Sequence, residues 1–365
     1  MRMFVKHMIL SMFYFSLLPF SIVFAQTGST WTFAVSGDSR NCGDIIMPAI
    51  ATRVHKDSAS FYWHLGDFRA FSDFDQDMLA SKHGKLGVVE YERGAWQDFI
   101  DQQLVPFGDV PVFLAIGNHE VVSKSRLDVL IQFADWFDSA TIRSQRLSDD
   151  PSDRKLRGYY HWHKYNLDFI TMDNASPEQF DRDQLLWFEK ILKRDEEDPG
   201  IRTVIVGMHD ALPDSFSTGH SMNESPSGTE SGRRVYKDLV EFKKRSGKEV
   251  QVLASHSHFL LSDVYKTSCH RPDEVLPGWI VGTAGAVRYR LPHEHGTAGI
   301  AQTDVYGYLL GTVTPEGHVS FAFRQITTSD VSEEIRARYG ADVVNKCFEE
   351  NKTDYIPEGP RCEIR

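Results

Sequence analysis

The stretch FLAIGNHEVV, residues 113–122, passes from an apolar run directly into a glycine, an asparagine, a histidine and a glutamate. The apolar run, Val112–Ile116, does not alternate with polar residues, which is typical of a strand covered on both faces. The polar residues of Gly117–Glu120 follow at the point where that strand ends. In open α/β sheets, ligands bind just beyond the carboxyl ends of the strands. The stretch therefore predicts an α/β protein with a site at this edge of a sheet.

The same pattern occurs at four more places in the chain. Short apolar runs end in polar ligand residues: Phe33–Val35 before Asp38, Phe61–Leu65 before Asp67, Thr203–Val206 before His209, and Val250–Ala254 before His256 and His258. A glycine stands before the polar residue in four of the five segments, where it permits a tight turn and close approach of the backbone. We therefore expect five strand ends to deliver their side chains to one edge.

The remaining patterns alternate between helices and strands. Apolar stripes predict helices over Asp183–Arg194 and Arg233–Arg245, a further buried strand covers Trp279–Val281, and hairpins join Tyr159–Tyr165 to Leu167–Met172 and Tyr306–Val313 to His318–Arg324. This order predicts a layered α/β domain with two sheets inside helices. Two segments, Arg69–Gly94 and Ala211–Gly232, are expected to be long loops, either functional lids or disordered.

The first 25 residues differ from the rest in composition. Arg2 and Lys6 precede an apolar run that ends before Gln26, which is typical of a cleaved secretory signal peptide. An uncleaved membrane anchor is the alternative, although the run is short for a span. We expect a signal peptide at 1–25, a catalytic domain at 26–328 and a C-terminal extension at 329–365, in a periplasmic or secreted protein without stable membrane insertion.

Charge and cysteine content narrow the class further. The formal net charge of −11 disfavours nonspecific binding to nucleic acid. The four cysteines form no C-x-x-C pair, so a zinc ribbon is disfavoured, and an even number in an exported chain indicates disulfides. Of the three possible pairings we favour Cys347 with Cys362 and Cys42 with Cys269, and we expect the C-terminal extension to be held by a disulfide.

The residue types at the strand ends indicate a metal site. Two aspartates, an asparagine and three histidines are ligands for borderline divalent ions such as Zn, Mn, Fe or Co. Two converging carboxylates repel each other unless cations neutralise them. A pair of such ions clamps the attacking and the departing oxygen of an in-line displacement, which is the chemistry of phosphoester hydrolysis.

The order of these motifs, from Phe33 to about Arg324, resembles the calcineurin-like metallophosphoesterase family, which includes the purple acid phosphatases. Gly117-Asn118-His119-Glu120 is the strongest single part of the resemblance. It implies a four-layer α/β/β/α sandwich of two mixed sheets flanked by helices. It also implies hydrolysis of phosphomonoesters or phosphodiesters by a metal-activated hydroxide, with a small phosphate ester as the substrate.

The resemblance assigns roles residue by residue. Asp67 would bridge two metals, Asn118, His209 and His256 would hold one of them, and Asp38 and His258 would hold the other. His119 would donate a proton to the leaving oxygen. Acidic neighbours of His119 would orient it in the family, a role that the sequence does not establish for Glu120.

Two positions depart from the family pattern. Arg40 stands where the family commonly has a histidine ligand, and Ala70 stands where acid-phosphatase relatives have a tyrosine. One metal therefore lacks a protein ligand and its site is expected to be weak, unless water or another residue completes it. Arg40 is a candidate phosphate clamp, because a guanidinium suits phosphate, or else the partner of a nearby carboxylate.

Other readings stay open beside this one. A protein that kept the fold as a binding or sensor module is the alternative function, and a disulfide-held structural module is a third. We expect His161 and His163 to form an exposed strand face, and Asp73, Asp75 and Asp77 to be a solvated charge run. The loop with Asp214 and His220 either closes over the site or has no role, and the segment His293–His295 is expected to be a surface loop.

Overall fold

Two β-sheets form the centre of the structure, a computed structural model that describes residues 29–362 except 72, 123, 176–178, 294, 296–298 and 361. The first sheet has the strand order β12-β11-β1-β2-β3. Its strands are β1 (Trp31–Ser36), β2 (Tyr62–His64), β3 (Val112–Leu114), β11 (Tyr306–Val313) and β12 (Val319–Ile326). Strands β1, β2 and β3 are parallel, whereas β11 is antiparallel to both of its neighbours.

The second sheet has the order β10-β8-β9-β7-β6-β5-β4. Its strands are β4 (Tyr160–Lys164), β5 (Leu167–Thr171), β6 (Thr203–Gly207), β7 (Glu249–Ala254), β8 (Leu260–Ser262), β9 (Gly278–Val281) and β10 (Ala301–Gln302). Strands β5, β6, β7 and β9 are parallel, and antiparallel partners lie at both edges. Both sheets are therefore mixed.

Helices flank the two sheets. They are α1 (Gly43–Lys56), α2 (Gln76–Ser81), α3 (Val88–Phe99), α4 (Arg126–Gln132), α5 (Ala134–Phe137), α6 (Ala140–Asp149), α7 (Arg182–Glu197), α8 (Pro226–Ser246), α9 (Glu333–Tyr339) and α10 (Ala341–Glu349). The sequence signals explain the long ones. Asp181 caps α7 by accepting from the Gln184 N–H at 2.8 Å, and α8 ends at Gly247, whose φ of 69° is left-handed.

Aromatic side chains fill the space between the two sheets. Phe61 of the first sheet packs edge-on against Phe169 of the second, with ring centroids 5.0 Å apart, and Trp63 packs in the same way against Trp162 at 5.2 Å. Helices α7 and α8 pack on the far side of the second sheet, and α1, α9 and α10 on the far side of the first. The expected four-layer α/β/β/α architecture is confirmed.

The two segments expected to be long loops contain regular structure instead. Helices α2 and α3 lie within or extend from Arg69–Gly94, and α8 begins at Pro226, inside Ala211–Gly232. The expectation of a solvated run at Asp73–Asp77 is wrong for two residues, since Asp75 and Asp77 are buried. They accept hydrogen bonds from the backbone N–H groups of Asn41 and Asp44, at 2.5 and 2.8 Å, and so fix this segment against the start of α1.

The favoured disulfide pairing is also wrong. Cys42 pairs with Cys347, and Cys269 pairs with Cys362, with Cα–Cα distances of 5.9 and 5.2 Å. Helix α10 packs on the core cluster that contains Cys42 and α1, which brings Cys347 to Cys42 across a sequence separation of 305 residues. The favoured pairing relied on closeness in sequence, which does not show where α10 packs in the folded chain.

The expected signal peptide, residues 1–25, lies outside the described residues, and the division of the chain at 328 stays a prediction. None of the helices in the described part of the chain combines the length and the apolar character that a membrane crossing requires.

Candidate metal centre

The carboxyl ends of the parallel strands of both sheets meet at one rim. Five loops that follow β1, β2, β3, β6 and β7 lie side by side there. Backbone hydrogen bonds link neighbouring loops of the rim, since the Asp38 N–H donates to the Gly66 carbonyl at 2.9 Å and the Ser255 N–H to the His209 carbonyl at 2.9 Å. All six predicted ligand residues lie in these loops, as do His119 and Arg40.

A first group of donor atoms surrounds the carboxylate of Asp67. The Nε2 atom of His209 lies 3.3 Å from Asp67 Oδ1, 3.0 Å from Asn118 Oδ1 and 3.0 Å from His256 Nδ1. Asp67 and His209 are fully buried, and His256 is nearly so. The structure thus brings together the four residues predicted for one metal, and three of them form a group able to hold an ion.

A second group shares the same aspartate. Asp38, Asp67 and His258 are buried together with their donor atoms within 4.8 Å of one another. His258 Nε2 lies 3.3 Å from Asp38 Oδ1. Asp67 therefore lies between the two groups, which is the position that the resemblance gives to a bridging ligand.

The guanidinium of Arg40 contacts this second group. Its Nε lies 3.4 Å from Asp67 Oδ2, and its Nη2 lies 3.2 Å from His258 Nε2. Although burial opposes the shift, the charge of Asp67 raises the pKa of Arg40. A permanent positive charge thus lies against two of the three donor residues, which disfavours a divalent ion there relative to the first group.

Three of the candidate ligands have strained backbone. Asp38, Asp67 and His256 have φ values of 61°, 60° and 63°, in the left-handed region that such residues rarely adopt. Strain of this kind costs about 1–3 kcal/mol per residue and concentrates at functional sites. The turns need glycine beside them, because a Cβ on Gly117 would lie 2.3 Å from the Asp67 nitrogen.

The carboxylate of Glu120 links two loops of the rim. It accepts hydrogen bonds from the backbone N–H groups of Asp67, Phe68 and Gly117, at 2.9, 2.7 and 2.7 Å. Burial and the charge of Asp67 raise the pKa of Glu120 to about 8, while the donated hydrogen bonds oppose this shift. Glu120 therefore fixes the loops after β2 and β3 to each other, a role that was not foreseen.

Backbone carbonyls set the orientation of the histidine rings. The Nδ1 atoms of His209 and His258 face the carbonyls of Leu65 and Val287, at 2.9 and 2.6 Å. Donation from Nδ1 leaves Nε2 as the free lone pair, which is how metal-binding histidines are held. His119 Nδ1 contacts the carbonyl of Ala70, and its Nε2 lies 3.7 Å from Asp67 Oδ2.

Burial and neighbouring charges shift the pKa values of the side chains at the rim. Although burial opposes it, Asp67 raises the pKa of His209 to about 9. Burial and the neighbouring His209 lower the pKa of His256. Against the effect of burial, His119 and His209 hold the pKa of Asp67 well below its usual range. Positive charge is thus favoured beside Asp67.

The residues fit a divalent metal centre. The buried atoms Asp38 Oδ1 and Asp67 Oδ2 have no hydrogen-bond partner within the described part of the chain. A buried, unsatisfied carboxylate oxygen is costly, and a cation relieves that cost. Carboxylate, amide and imidazole donors together suit Zn, Mn, Fe or Co.

An aromatic wall that the sequence did not reveal stands beside the donor groups. The ring of His220 stacks on His256 with centroids 4.5 Å apart, and Tyr289 stacks on His258 at 4.1 Å. Tyr355 contacts both, with its hydroxyl 3.2 Å from His220 Nδ1. The loop after β6, which carries His220, therefore lies over the site. This position follows from the ring stacking in the folded chain and could not be read from the sequence.

The other candidate residues lie away from the rim or have structural contacts. His161 is buried at the β4–β5 hairpin, so the expected exposed strand face is wrong for this residue. Asp214 pairs with Arg233 at 2.7 Å. Within His293–His295, position 294 lies outside the described residues.

Comparisons with known proteins give the family and the fold. The sequence model of the calcineurin-like phosphoesterase family matches residues 43–260. A purple acid phosphatase from yellow lupin (Lupinus luteus) seeds has a similar structure, with a TM-score of 0.52 and 16% identity over 82% of this chain. The match covers 52% of the lupin chain, so the present chain spans about half of its length.

The solved structure of PhoD is similar as well, with a TM-score of 0.50 and 13% identity, over 90% of this chain and 78% of that one. At these identities the likeness shows the fold alone. A search of curated protein sequences gave no match.

Proposed function

The chain belongs to the calcineurin-like phosphoesterase family, and from this premise we propose that it hydrolyses phosphate esters at the rim between its two sheets. One observation carries the proposal: two groups of buried donor atoms share Asp67 at a single rim. Family membership implies a small phosphate ester as the substrate. Phosphomonoesters and phosphodiesters both belong to this class of substrate.

The centre is proposed to hold two divalent transition ions, as the family implies. Asn118, His209 and His256 would hold one, Asp38 and His258 the other, and Asp67 would contact both. Bound ions of this type polarise phosphoryl oxygens and lower the pKa of water. The charge of Arg40, which lies beside Asp67 and His258, would weaken binding of the ion held by Asp38 and His258.

His119 is proposed to donate the proton that the leaving oxygen needs. Its Nδ1 is held by the Ala70 carbonyl, which leaves Nε2 directed toward the donor groups, 3.7 Å from Asp67 Oδ2. The residue is almost buried, with 9% of its surface exposed, so the ring has one orientation and limited access to water. A positioned histidine of this kind contributes a rate factor of about 10²–10⁴.

Arg40 is proposed to bind a phosphoryl oxygen. Its guanidinium lies at the edge of the second donor group, with 15% of the side chain exposed. Guanidinium groups bind phosphate oxygens through parallel N–H bonds. Arg40 thus combines neutralisation of Asp67 with binding of the substrate.

Export to the periplasm or beyond the cell is proposed for the mature chain. The four cysteines all lie in disulfide pairs, and disulfides persist in oxidising compartments. The apolar run that precedes Gln26 supports the same proposal.

Substitution of two first-group ligands tests the function. Asn118→Ala and His209→Ala are expected to lower both the metal content, measured by elemental analysis, and the turnover of an aryl phosphate, because each removes a donor beside Asp67. His318→Ala is the control, since this histidine is 68% exposed and pairs with Glu249 far from the rim. Unchanged hydrolysis in the two ligand variants would refute the assignment.

The unequal strength of the two metal sites has its own test. Arg40→Met removes the charge beside Asp67 and His258 while keeping a long side chain. We expect this variant to bind its second equivalent of metal more tightly than the original chain does, and to bind phosphate more weakly. Equal metal affinity in both proteins would contradict the proposed competition between the guanidinium and the ion.

A further inference from the structure

A second group of histidines and carboxylates lies at the far end of the second sheet. Register pairs His163 of β4 with Asp168 of β5, so their side chains share one face of the sheet. Asp168 is near the amino end of β5, whereas the catalytic rim is at the carboxyl ends of the parallel strands. The two groups are therefore at opposite ends of the sheet.

Helix α7 adds a carboxylate to this face. Asp195 stands in the buried stripe of the helix with Phe188, Ile191 and Leu192, and only 1% of it is exposed. Its Oδ2 has no hydrogen-bond partner among the described residues, and neither has the buried Nε2 of His163. A carboxylate in a core position is costly unless a positive charge is supplied to it.

The spacing of the donor atoms suits a shared ion. His163 Nε2 lies 3.6 Å from Asp168 Oδ2 and 3.8 Å from Asp195 Oδ1, which is too far for hydrogen bonds. Two ligands bound at 2.0–2.2 Å to a tetrahedral ion lie about 3.4 Å apart. Small movements of these side chains would close the difference.

His161 contacts the Asp168 carboxylate of this group. Its Nδ1 lies 2.8 Å from Asp168 Oδ2 and its Nε2 lies 2.6 Å from Asp149 Oδ2, while Arg194 pairs with Asp149 at 2.5 Å. Such contacts orient a metal-binding carboxylate and fix its position. Asp168 is therefore placed before any ion arrives.

From these contacts we propose that His163, Asp168 and Asp195, which we call the hairpin site, bind one divalent transition cation of the Zn²⁺ type. The two carboxylates balance the charge of the ion, and the imidazole supplies the nitrogen ligand that such ions prefer. A cavity of about 270 Å³, lined in part by His163 and Asp195, gives solvent access for entry and for water ligands.

Asp195 belongs to α7, whereas His163 and Asp168 belong to the β4–β5 hairpin. The ion links α7 to the β4–β5 hairpin and does not depend on the proposed hydrolysis.

Zinc binding to the full chain tests the hairpin site. After equilibrium dialysis against Zn²⁺, elemental analysis should give one equivalent less in Asp195→Asn and in His163→Gln than in the original protein. His318→Gln is the matched control, because its imidazole also contacts a carboxylate, at 2.5 Å from Glu249, but is exposed. Asn118→Ala separates the two proposals, since it should lose metal at the rim and keep the hairpin equivalent.

Equal zinc content in the original protein and both hairpin variants would overturn the proposal. If either variant fails to fold, zinc-soaked crystals of the original protein decide the question. An anomalous peak bounded by His163, Asp168 and Asp195 supports the site. Absence of that peak in crystals whose rim is loaded overturns it.

Discussion

Removal of the buried guanidinium of Arg69 is expected to destabilise the protein strongly. Arg69 follows Asp67 by two residues and is fully buried. Its Nη2 donates to Asp44 at 2.6 Å and to Asp98, its Nη1 lies 3.5 Å from Asp77, and its Nε donates to the Ala95 carbonyl at 3.3 Å. The single guanidinium of Arg69 thus pairs with three carboxylates, one from each of the helices α1, α2 and α3.

The magnitude follows from those contacts. Opposite charges 3–4 Å apart attract by about 4–5 kcal/mol at an effective dielectric constant of about 20, but much of this offsets the loss of hydration. Removal of one partner from a buried ion pair costs about 3–5 kcal/mol, because the other charge stays buried and unpaired. A domain has about 5–15 kcal/mol in total, so Arg69→Met should lose roughly a fifth or more of it.

Urea unfolding followed by tryptophan fluorescence measures this loss. With a slope of about 3 kcal/mol per M, the midpoint of Arg69→Met should fall by about 1–1.7 M. A chelator and intact disulfides keep ion binding and redox state constant. Arg271→Met is the control: its side chain is 75% exposed beside Asp273, so its midpoint should stay nearly unchanged. If Arg69→Met unfolds like Arg271→Met, the reasoning about buried charge is wrong.

Three further outcomes are expected. Burial raises the pKa of Asp98 to about 7 from 3.8. The folded state therefore holds this proton more tightly than the unfolded chain, and stability present below pH 4 should decline toward pH 7, with Asp98→Asn showing a flatter pH profile in thermal unfolding. Replacing Cys42 and Cys347 together by alanine should cost about 2–5 kcal/mol in urea unfolding, and no change would contradict a stabilising disulfide. Gly117→Ala should reduce metal content in elemental analysis, since the added Cβ meets the Asp67 nitrogen at 2.3 Å; normal metal content would show that the turn can move.

Local patterns were enough to predict the architecture. The apolar runs at 33–35 and 250–254 lie in strands, and the run at 112–116 begins with the strand Val112–Leu114, because a strand covered on both faces needs no alternation and leaves an unbroken signal. The apolar stripe of α7 likewise marked a helix within three residues of its true ends. These features depend only on neighbours in sequence.

Features that depend on packing between distant segments of the chain could not be predicted from the sequence. Asp75 and Asp77 read as solvated charges because nothing nearby in sequence shows that Arg69 and the start of α1 would enclose them. The disulfide partners of Cys42 and Cys269 depend in the same way on where the C-terminal segment docks.

The candidate site likewise contains features that the sequence could predict and features that it could not. The candidate ligand residues could be selected from the sequence because each follows a strand in a short motif, and the sheets bring the strand ends together. The position of Arg40 between Asp67 and His258, and the stacking of His220 on His256, depend on side-chain packing between separate loops. Sequence spacing carries no information about such contacts.

The placement of β11 has a consequence for biosynthesis. All six candidate ligands precede residue 259, yet β1 is paired on one side with β11, which a ribosome completes only at Val313. A nascent chain that has been synthesised as far as His258 thus contains every candidate ligand but lacks β11, the strand that pairs with β1 beside Asp38. The first sheet beside Asp38 is therefore completed only by residues that are synthesised after all six candidate ligands.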